Sequence, residues 1–288
     1  MSFLKQVSLH GLRAYLTKSS KMVAQGGFVA GGQASIGNKG GSVSVPGSPS
    51  TAAIFDDFLG HISDTGALPG WELVNGDNDT GATSSLTYVS AVNGVFRLSF
   101  AGTPVNTPAH CIGISSNAIK NWKANQGNLR MAARVKIPVL ASVNAYIGFS
   151  DSGGADMPAY DTGTNAAAGF LSNMTDGVGF MYSNLGGSTV WRGVATAGDA
   201  DQSVAGTSSQ APTANVYDVL EVVLSEDSGQ TATFFVNGTQ LGSTAKISNP
   251  VNAATALVPG VWLFGSDTGT VQVDVDYISV SANRDTGT

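Results

Sequence analysis

The residues best placed to do chemistry in this sequence are two carboxylates near its end. Asp274 and Asp276 lie two positions apart in ValGlnValAspValAspTyrIleSerVal (271–280). On an extended strand that spacing puts both on one face, roughly 7 Å apart. Such a separation is near that of the acid and nucleophile in glycoside hydrolysis. However, Val271, Val273 and Val275 occupy the opposite face, which is the pattern of a half-buried strand with a solvated polar side. The solvated face fits better, so no catalytic residue is expected and the chain is expected not to be an enzyme.

Other candidates are weaker. His10, His61 and His110 are far apart, and none stands in a paired metal motif such as His-Glu-x-x-His. There is no Gly-x-Ser-x-Gly nucleophile elbow and no phosphate-binding Gly-Lys-Ser/Thr. AspAsnAspThrGly (77–81) and GlyAspAlaAspGln (198–202) could offer oxygens to calcium, but neither completes a Ca loop, and turn chemistry accounts for the acids. No metal site and no cofactor are expected. Cys111 is the single cysteine, which excludes an intramolecular disulfide, and its apolar neighbours suit a small core residue. Of Trp71, Trp122, Trp191 and Trp262, the last two sit within strand patterns and read as core. Trp122, between Lys120 and Lys123, is the candidate surface contact.

These residues must be positioned by a chain of 288 residues with only 12% charged positions and 37 glycines. Thr, Ser, Asn and Val between glycines suit short strands joined by many turns. No stretch approaches 18 apolar residues, so no membrane span and no membrane partner is expected. The N-terminus lacks the continuous apolar segment of a signal peptide, and the absence of disulfides suits a reducing compartment.

Charge divides the chain. Residues 1–50 hold Lys5, Arg13, Lys18, Lys21 and Lys39 without an acid, whereas the rest carries nine cations and twenty acids. Residues 1–51 therefore read as a basic, Gly/Ser-rich arm, partly helical or extended, and 52–288 as one domain. The apolar spacing in 2–22 partly fits a helix that Gly11 weakens. The arm is either a disordered tail or a segment that orders on a partner, and its one-signed charge favours the second. Its candidate contacts are Phe3, Leu4, Lys5, Leu12, Arg13, Tyr15, Leu16, Lys18 and Lys21. The arm lacks regularly interleaved aromatics and the domain is acidic, so no specific nucleic-acid partner is expected.

From Ala52 onward, alternation and turn signals recur, predicting more than a dozen short strands and an antiparallel β-sandwich. Asn237-Gly238 between two apolar runs predicts a tight hairpin. Tyr217–Ser243, with ValLeuGluValValLeuSerGluAsp and ThrPhePheValAsnGlyThrGlnLeuGly, resembles the central hairpin of concanavalin A-like lectin/glucanase domains. TyrIleGlyPheSerAsp (146–151), ValAspTyrIleSerVal (275–280) and AspAspPhe (56–58) followed by LeuProGlyTrpGlu (68–72) resemble other strands of that fold. The resemblance implies an all-β, antiparallel jelly-roll sandwich with its first and last strands side by side, preceded by the extended arm. Glucanases of the family use a Glu-x-Asp-x-(x)-Glu run, which Asp274 and Asp276 do not match.

LeuSerAsnMetThrAspGlyValGlyPheMetTyr (171–182) and TrpArgGlyVal (191–194) also resemble a segment of tailed-bacteriophage virion structural proteins that carry this sandwich. That likeness implies a virion protein assembled in the host cytoplasm. A capsid decoration protein is expected, anchored through its arm to the major capsid protein or a neighbouring virion protein, with self-association as a further partner. The alternative is a carbohydrate-binding module of a tail fibre or adhesin, with a host glycan as ligand.

Overall fold

The computed structural model describes residues 51–58, 71–75, 83–89, 94–101, 111–116, 122–153, 156–161, 170–184, 189–242, 246–265 and 269–283, with the backbone of five short strands before residue 50. Those five are β1 (Lys5–Leu9), β2 (Leu12–Leu16), β3 (Met22–Ala24), β4 (Gln33–Ser35) and β5 (Ser42–Ser44). β1, β2 and β3 form a small antiparallel sheet, and β4 pairs with β5. Where residues 2–22 are described, the backbone is extended and not helical: Lys5–Leu9 pairs with Leu12–Leu16, and a helix across them would carry Gly11 at its centre.

The remaining strands are, in chain order, β6 (Thr51–Asp56), β7 (Glu72–Asn75), β8 (Thr83–Val89), β9 (Val95–Ala101), β10 (Ile112–Ser115) and β11 (Arg130–Lys136). There follow β12 (Val143–Ser150), β13 (Ala159–Tyr160), β14 (Leu171–Ser172), β15 (Asp176–Ser183), β16 (Arg192–Ala197) and β17 (Ala200–Ala205). Last come β18 (Tyr217–Leu224), β19 (Thr231–Val236), β20 (Thr239–Gln240), β21 (Ile247–Ser248), β22 (Val258–Gly265) and β23 (Thr270–Asn283). Helical structure among the described residues is confined to two short 3-10 turns, Ala124–Gln126 and Ser208–Gln210.

Two antiparallel sheets make the sandwich. One has seven strands in the order β17-β16-β15-β12-β22-β10-β7; the other has nine, ordered β20-β19-β18-β11-β23-β9-β8 with β6 beside β23 and β21 beside β19. Alternate residues of each strand point inward. Ile147, Phe149, Phe180, Val261 and Leu263 from the first sheet thus meet Phe96, Leu98, Val222, Phe234 and Val273 from the second, all buried. This is the predicted antiparallel jelly-roll sandwich.

The two ends of the domain are stitched together as expected: β6 pairs with β23 from Ile278↔Asp56 to Asn283↔Thr51. The Asn237-Gly238 turn is tight, with φ of 51° and 79°. Asn237 also ties the turn down, since its Oδ1 accepts the Val219 N–H and its Nδ2 donates to Asp218, both at 2.8 Å.

Candidate functional site

The outer face of the seven-stranded sheet is the part of the molecule where side chains of distant sequence origin meet. Register defines its rows. Gly113 on β10, Trp262 on β22, Tyr146 on β12 and Met181 on β15 lie side by side. The neighbouring row runs Ser115, Gly260, Gly148 and Gly179 across the same strands. On the other side lie Phe264 and Asn144. Tyr146 and Trp262 stack at a tilt, with ring centroids 5.6 Å apart.

The glycines permit this packing. A Cβ at Gly260 would lie 2.5 Å from the six-membered ring of Trp262, and one at Gly113 2.6 Å from its Cδ1. The indole therefore lies flat over two strands stripped of side chains, a close approach that only glycine allows.

This face is not open to solvent. Met157, Ala159, Tyr160, Phe170 and Met174 pack over Tyr146, Trp262, Phe264, Met181 and Cys111 as a second apolar cluster. β13 and β14 form part of that cover. The Asp161 N–H donates to Asn144 Oδ1 at 3.1 Å, and the Asn173 N–H to the Pro158 carbonyl at 2.9 Å.

Under the cover, hydrogen-bonding capacity is left over. Trp262 Nε1, Asn144 Nδ2 and Ser115 Oγ are buried without a partner, and all three residues are 0% exposed. Buried polar groups are nearly always paired; these three share one face, and Trp122 Nε1 in the main core, Ser116 Oγ and Asn184 Oδ1 are buried without a partner as well. By contrast, Tyr146 is satisfied: its hydroxyl donates to the Phe149 carbonyl at 2.7 Å, and full burial raises its pKa well above the ordinary value. Cys111 is no nucleophile, because burial pushes its thiol up to about 12.

Among the described residues, the acids of the sheet strands themselves stand at the margins of this face, while Asp161 of the cover is buried beside Asn144. Glu72 lies opposite Ser115 on the edge strand β7. At the end of the sheet, Asp176 Oδ1 accepts the Asn252 N–H at 2.7 Å, and its Oδ2 accepts Asn252 Nδ2 at 2.9 Å and Thr255 Oγ1 at 3.1 Å. Its neighbour Asp151 has a pKa raised by desolvation, partly offset by the backbone N–H of Asp176. Among the described residues, no two carboxylates share the central rows.

Asp274 and Asp276 are on the opposite side of the molecule, on the outer face of the nine-stranded sheet. The sequence placed them on a solvated strand face, and the structure corrects this: Asp274 is fully buried and Asp276 nearly so. Arg97 grips Asp274 through Nε at 2.5 Å and Nη2 at 2.9 Å, and Lys136 Nζ approaches it at 2.9 Å. Asp276 pairs with Arg134, whose guanidinium lies 4.1 Å from the ring centre of Tyr217. A register shift opposite Arg134 and Val135 makes Asp276 the extra residue of a bulge.

Trp122 is also corrected. It is 5% exposed, bridges Leu257 and belongs to the main core, so it is no surface contact. Lys123 is extended, so the two neighbouring side chains point to opposite sides. Trp191 and Trp262 are core, as expected. In the 198–202 turn, Asp201 Oδ1 accepts from Ser172 Oγ at 2.7 Å and Thr196 Oγ1 at 2.8 Å. Among the described residues, no group of three His, Cys, Asp or Glu is placed to hold a metal. Of the arm contacts, Lys5, Leu12, Arg13, Tyr15 and Leu16 fall on β1 and β2 as backbone, whereas Phe3, Leu4, Lys18 and Lys21 lie outside the described residues. The three histidines and residues 77–81 lie outside them too.

No protein-family model matches the chain, and no curated protein sequence does. Solved structures match its fold. A Bacillus licheniformis β-glucanase aligns at TM-score 0.50 with 11% identity, covering 79% of this chain and 97% of its own. A structure described with endo-acting O-glycanases of human gut bacteria that initiate mucin breakdown aligns at 0.51 with 13% identity, covering 81% and 99%. A carbohydrate esterase of the Shiga toxin-encoding bacteriophage phi24B aligns at 0.42 with 14% identity, covering 77% and 94%, too distant to argue from. At such identities the likeness is one of fold.

These matches overturn the expectation that the chain is not an enzyme. That expectation rested on Asp274 and Asp276 lacking the Glu-x-Asp-x-(x)-Glu run of the family's glucanases, whereas the aligned structures of this fold include a glucanase and O-glycanases.

Proposed function

We propose that this protein engages glycans, by binding or by turnover, on the outer face of its seven-stranded sheet, where a sugar would take the place of the apolar cover that Met157, Tyr160, Phe170 and Met174 now form. The carrying observation is the set of unpartnered buried groups, Trp262 Nε1, Asn144 Nδ2 and Ser115 Oγ, beside the Tyr146–Trp262 pair. A sugar ring offers matching chemistry. Its C–H faces suit aromatic surfaces, and its hydroxyls can both donate and accept, meeting an indole N–H, an amide N–H and a serine hydroxyl at once. Structures of the same fold that act on glycans support the reading. The capsid-decoration role expected from the sequence has no observation in the fold to favour it, and glycan engagement takes its place.

The test is a panel of soluble oligosaccharides from β-glucans and mucin O-glycans, read by calorimetry for binding and by reducing-end release for turnover. One class should give saturable binding or release. Ser115→Ala should weaken that binding about fivefold, the value of one net hydrogen bond. No response across the panel, or full affinity in Ser115→Ala, would remove the glycan from this face.

A further inference from the structure

We propose that Asn237 is a latent self-modification site: its conversion to aspartate or isoaspartate is held off by a clamp from β18, and once it occurs the clamp cannot form again. This goes beyond the glycan reading and does not depend on it.

The chemistry belongs to the Asn237-Gly238 pair. The Gly238 backbone nitrogen attacks Asn237 Cγ, and the new C–N bond closes a five-membered succinimide. The side-chain nitrogen leaves as ammonia, taking the proton that the Gly238 nitrogen releases. Water then opens the ring at either carbonyl, giving aspartate or isoaspartate. Water is the only co-reactant, and nothing is oxidised or reduced. Glycine leaves the attacking nitrogen unhindered. A Cβ at Gly238 would meet nothing within 4 Å, and both residues are exposed.

The fold opposes this reaction. Asn237 stands in the left-handed region at φ 51°. Both polar atoms of its side chain are held by β18: Oδ1 accepts the Val219 N–H and Nδ2 donates to Asp218 Oδ1, each at 2.8 Å. The Asn237 N–H also donates to the Val219 carbonyl at 2.8 Å. The side chain is thus turned across the ladder toward residues 218–219. Cγ has to leave both partners before it can close on the next nitrogen of its own chain.

Asp218 is itself fixed. It is buried, and its other oxygen accepts Trp191 Nε1 at 2.9 Å. Trp191 lies in the main core, edge-on to Phe180 and Tyr182. The clamp therefore reaches from the exposed turn into the core. Conversion turns it from attraction to repulsion. An oxygen replaces the nitrogen that donates to Asp218, and two carboxylates then face one another where one of them is desolvated. Isoaspartate also adds a methylene to the backbone of a turn whose flanks pair as Val236↔Thr239 and Phe235↔Gln240.

The chain carries its own control. Val74-Asn75-Gly76, Val92-Asn93-Gly94 and Val236-Asn237-Gly238 are the same tripeptide three times. Their intrinsic reactivities are matched, so an unfolded chain should not distinguish them.

The test is peptide mapping by mass spectrometry, with isoaspartate resolved from aspartate, after the full chain is incubated in alkaline buffer folded and in guanidinium chloride. In denaturant the three asparagines should convert at similar rates. In the folded protein Asn237 should convert about 100-fold more slowly than in denaturant, because two hydrogen bonds must open together. Folded Asp218→Ala, its fold checked by circular dichroism, should convert at Asn237 about tenfold faster than folded wild type, having lost the charge-assisted bond. If that variant does not fold, Asn237→Asp decides, since it carries the charge of the product: its denaturation midpoint should lie below that of wild type. Conversion of Asn237 as fast folded as in denaturant, no conversion in denaturant, an Asp218→Ala variant that folds yet reacts no faster, or an Asn237→Asp midpoint equal to wild type would each overturn the proposal.

Discussion

The two outer faces of the sandwich treat their polar groups in opposite ways. On the nine-stranded sheet every prominent charge has a partner: Arg97 and Lys136 hold Asp274, Arg134 holds Asp276, and Arg130 meets Glu221 at 2.7 Å. On the seven-stranded sheet the strands' own acids stand at the margins, and Trp262 Nε1, Asn144 Nδ2 and Ser115 Oγ are buried without a partner. The difference separates structure from function better than residue type does. A carboxylate with two cations on it has no capacity left for a substrate. An indole N–H buried with nothing to bond to is a cost that the fold carries unless a ligand offsets it.

The comparison breaks most visibly at β23, which carries Asp274 and Asp276. This strand pairs with β11, β9 and β6, so it is the middle of the nine-stranded sheet. Deleting residues 271–288 should abolish soluble, cooperatively folding protein, because it opens the core, strips one edge from β9 and from β11 and leaves β6 without its partner strand. Expression followed by a urea melt decides it, and a soluble truncation with a sharp transition would show that the sheet does not depend on its central strand.

Next in size is Asp274→Ala. It leaves Arg97 and Lys136 without their shared acid, and removing one partner of a buried pair costs about 3–5 kcal/mol. Arg97 and Lys136 keep some access to water, with side-chain exposures of 28% and 19%, which places the expected loss at the lower end. Equilibrium denaturation measures it. A loss within experimental error would mean that the network is a solvated surface feature, as the sequence pattern suggested.

That misplacement shows how far the sequence could be followed. β18 and β19 are legible to the residue, because Tyr217–Leu224 and Thr231–Val236 alternate buried and half-buried positions without interruption. The Asn237-Gly238 turn is legible for the same local reason. β17 is not, since Ala200–Ala205 is an edge strand with no buried face. β13 and β14 are two residues each, too short for any period to show. The candidate site was hidden for a different reason. Ser115, Gly148, Gly179 and Gly260 become one row only through the register of four strands, and nothing local distinguishes Trp262 from Trp191. Yet Trp191 Nε1 donates to Asp218 at 2.9 Å, while Trp262 Nε1 donates to nothing. Likewise the cations on Asp274 come from positions 97 and 136, which no spacing rule connects.

Ser115→Ala sharpens the contrast from the other side. Removing a buried hydroxyl that has no partner should leave stability unchanged or raise it slightly, whereas removing a paired group costs. The midpoint in urea should therefore stay within error of wild type in the variant that weakens glycan binding. A loss comparable to that of Asp274→Ala would mean that the hydroxyl is satisfied in solution, and the two faces would no longer differ in kind.

The smallest expected effect lies at the margin of the unpartnered face, at Asp151. Its Oδ1 is buried without a partner, and desolvation raises its pKa above the ordinary carboxylate value. The nearby negative charge of Asp176 acts in the same direction, while backbone N–H groups of Asp176 and Thr175 act against it. The sign follows from linkage. The folded state holds this proton more tightly than the unfolded chain, so stability falls as pH rises from the unfolded value, about 3.9, through the raised folded value, and the deficit persists at neutral pH. Asp151→Asn keeps the shape and removes the ionisation. It should be modestly more stable than wild type at pH 7 and indistinguishable from it near pH 3, where both forms are neutral. The gain is small because Asp151 is only half-buried, so water screens much of the cost. Denaturation at the two pH values provides the measurement. An equal gain at both would assign the effect to packing. A loss at pH 7 would show that Oδ1 of the carboxylate also has a partner in solution, and this end of the seven-stranded sheet would then belong with the paired face.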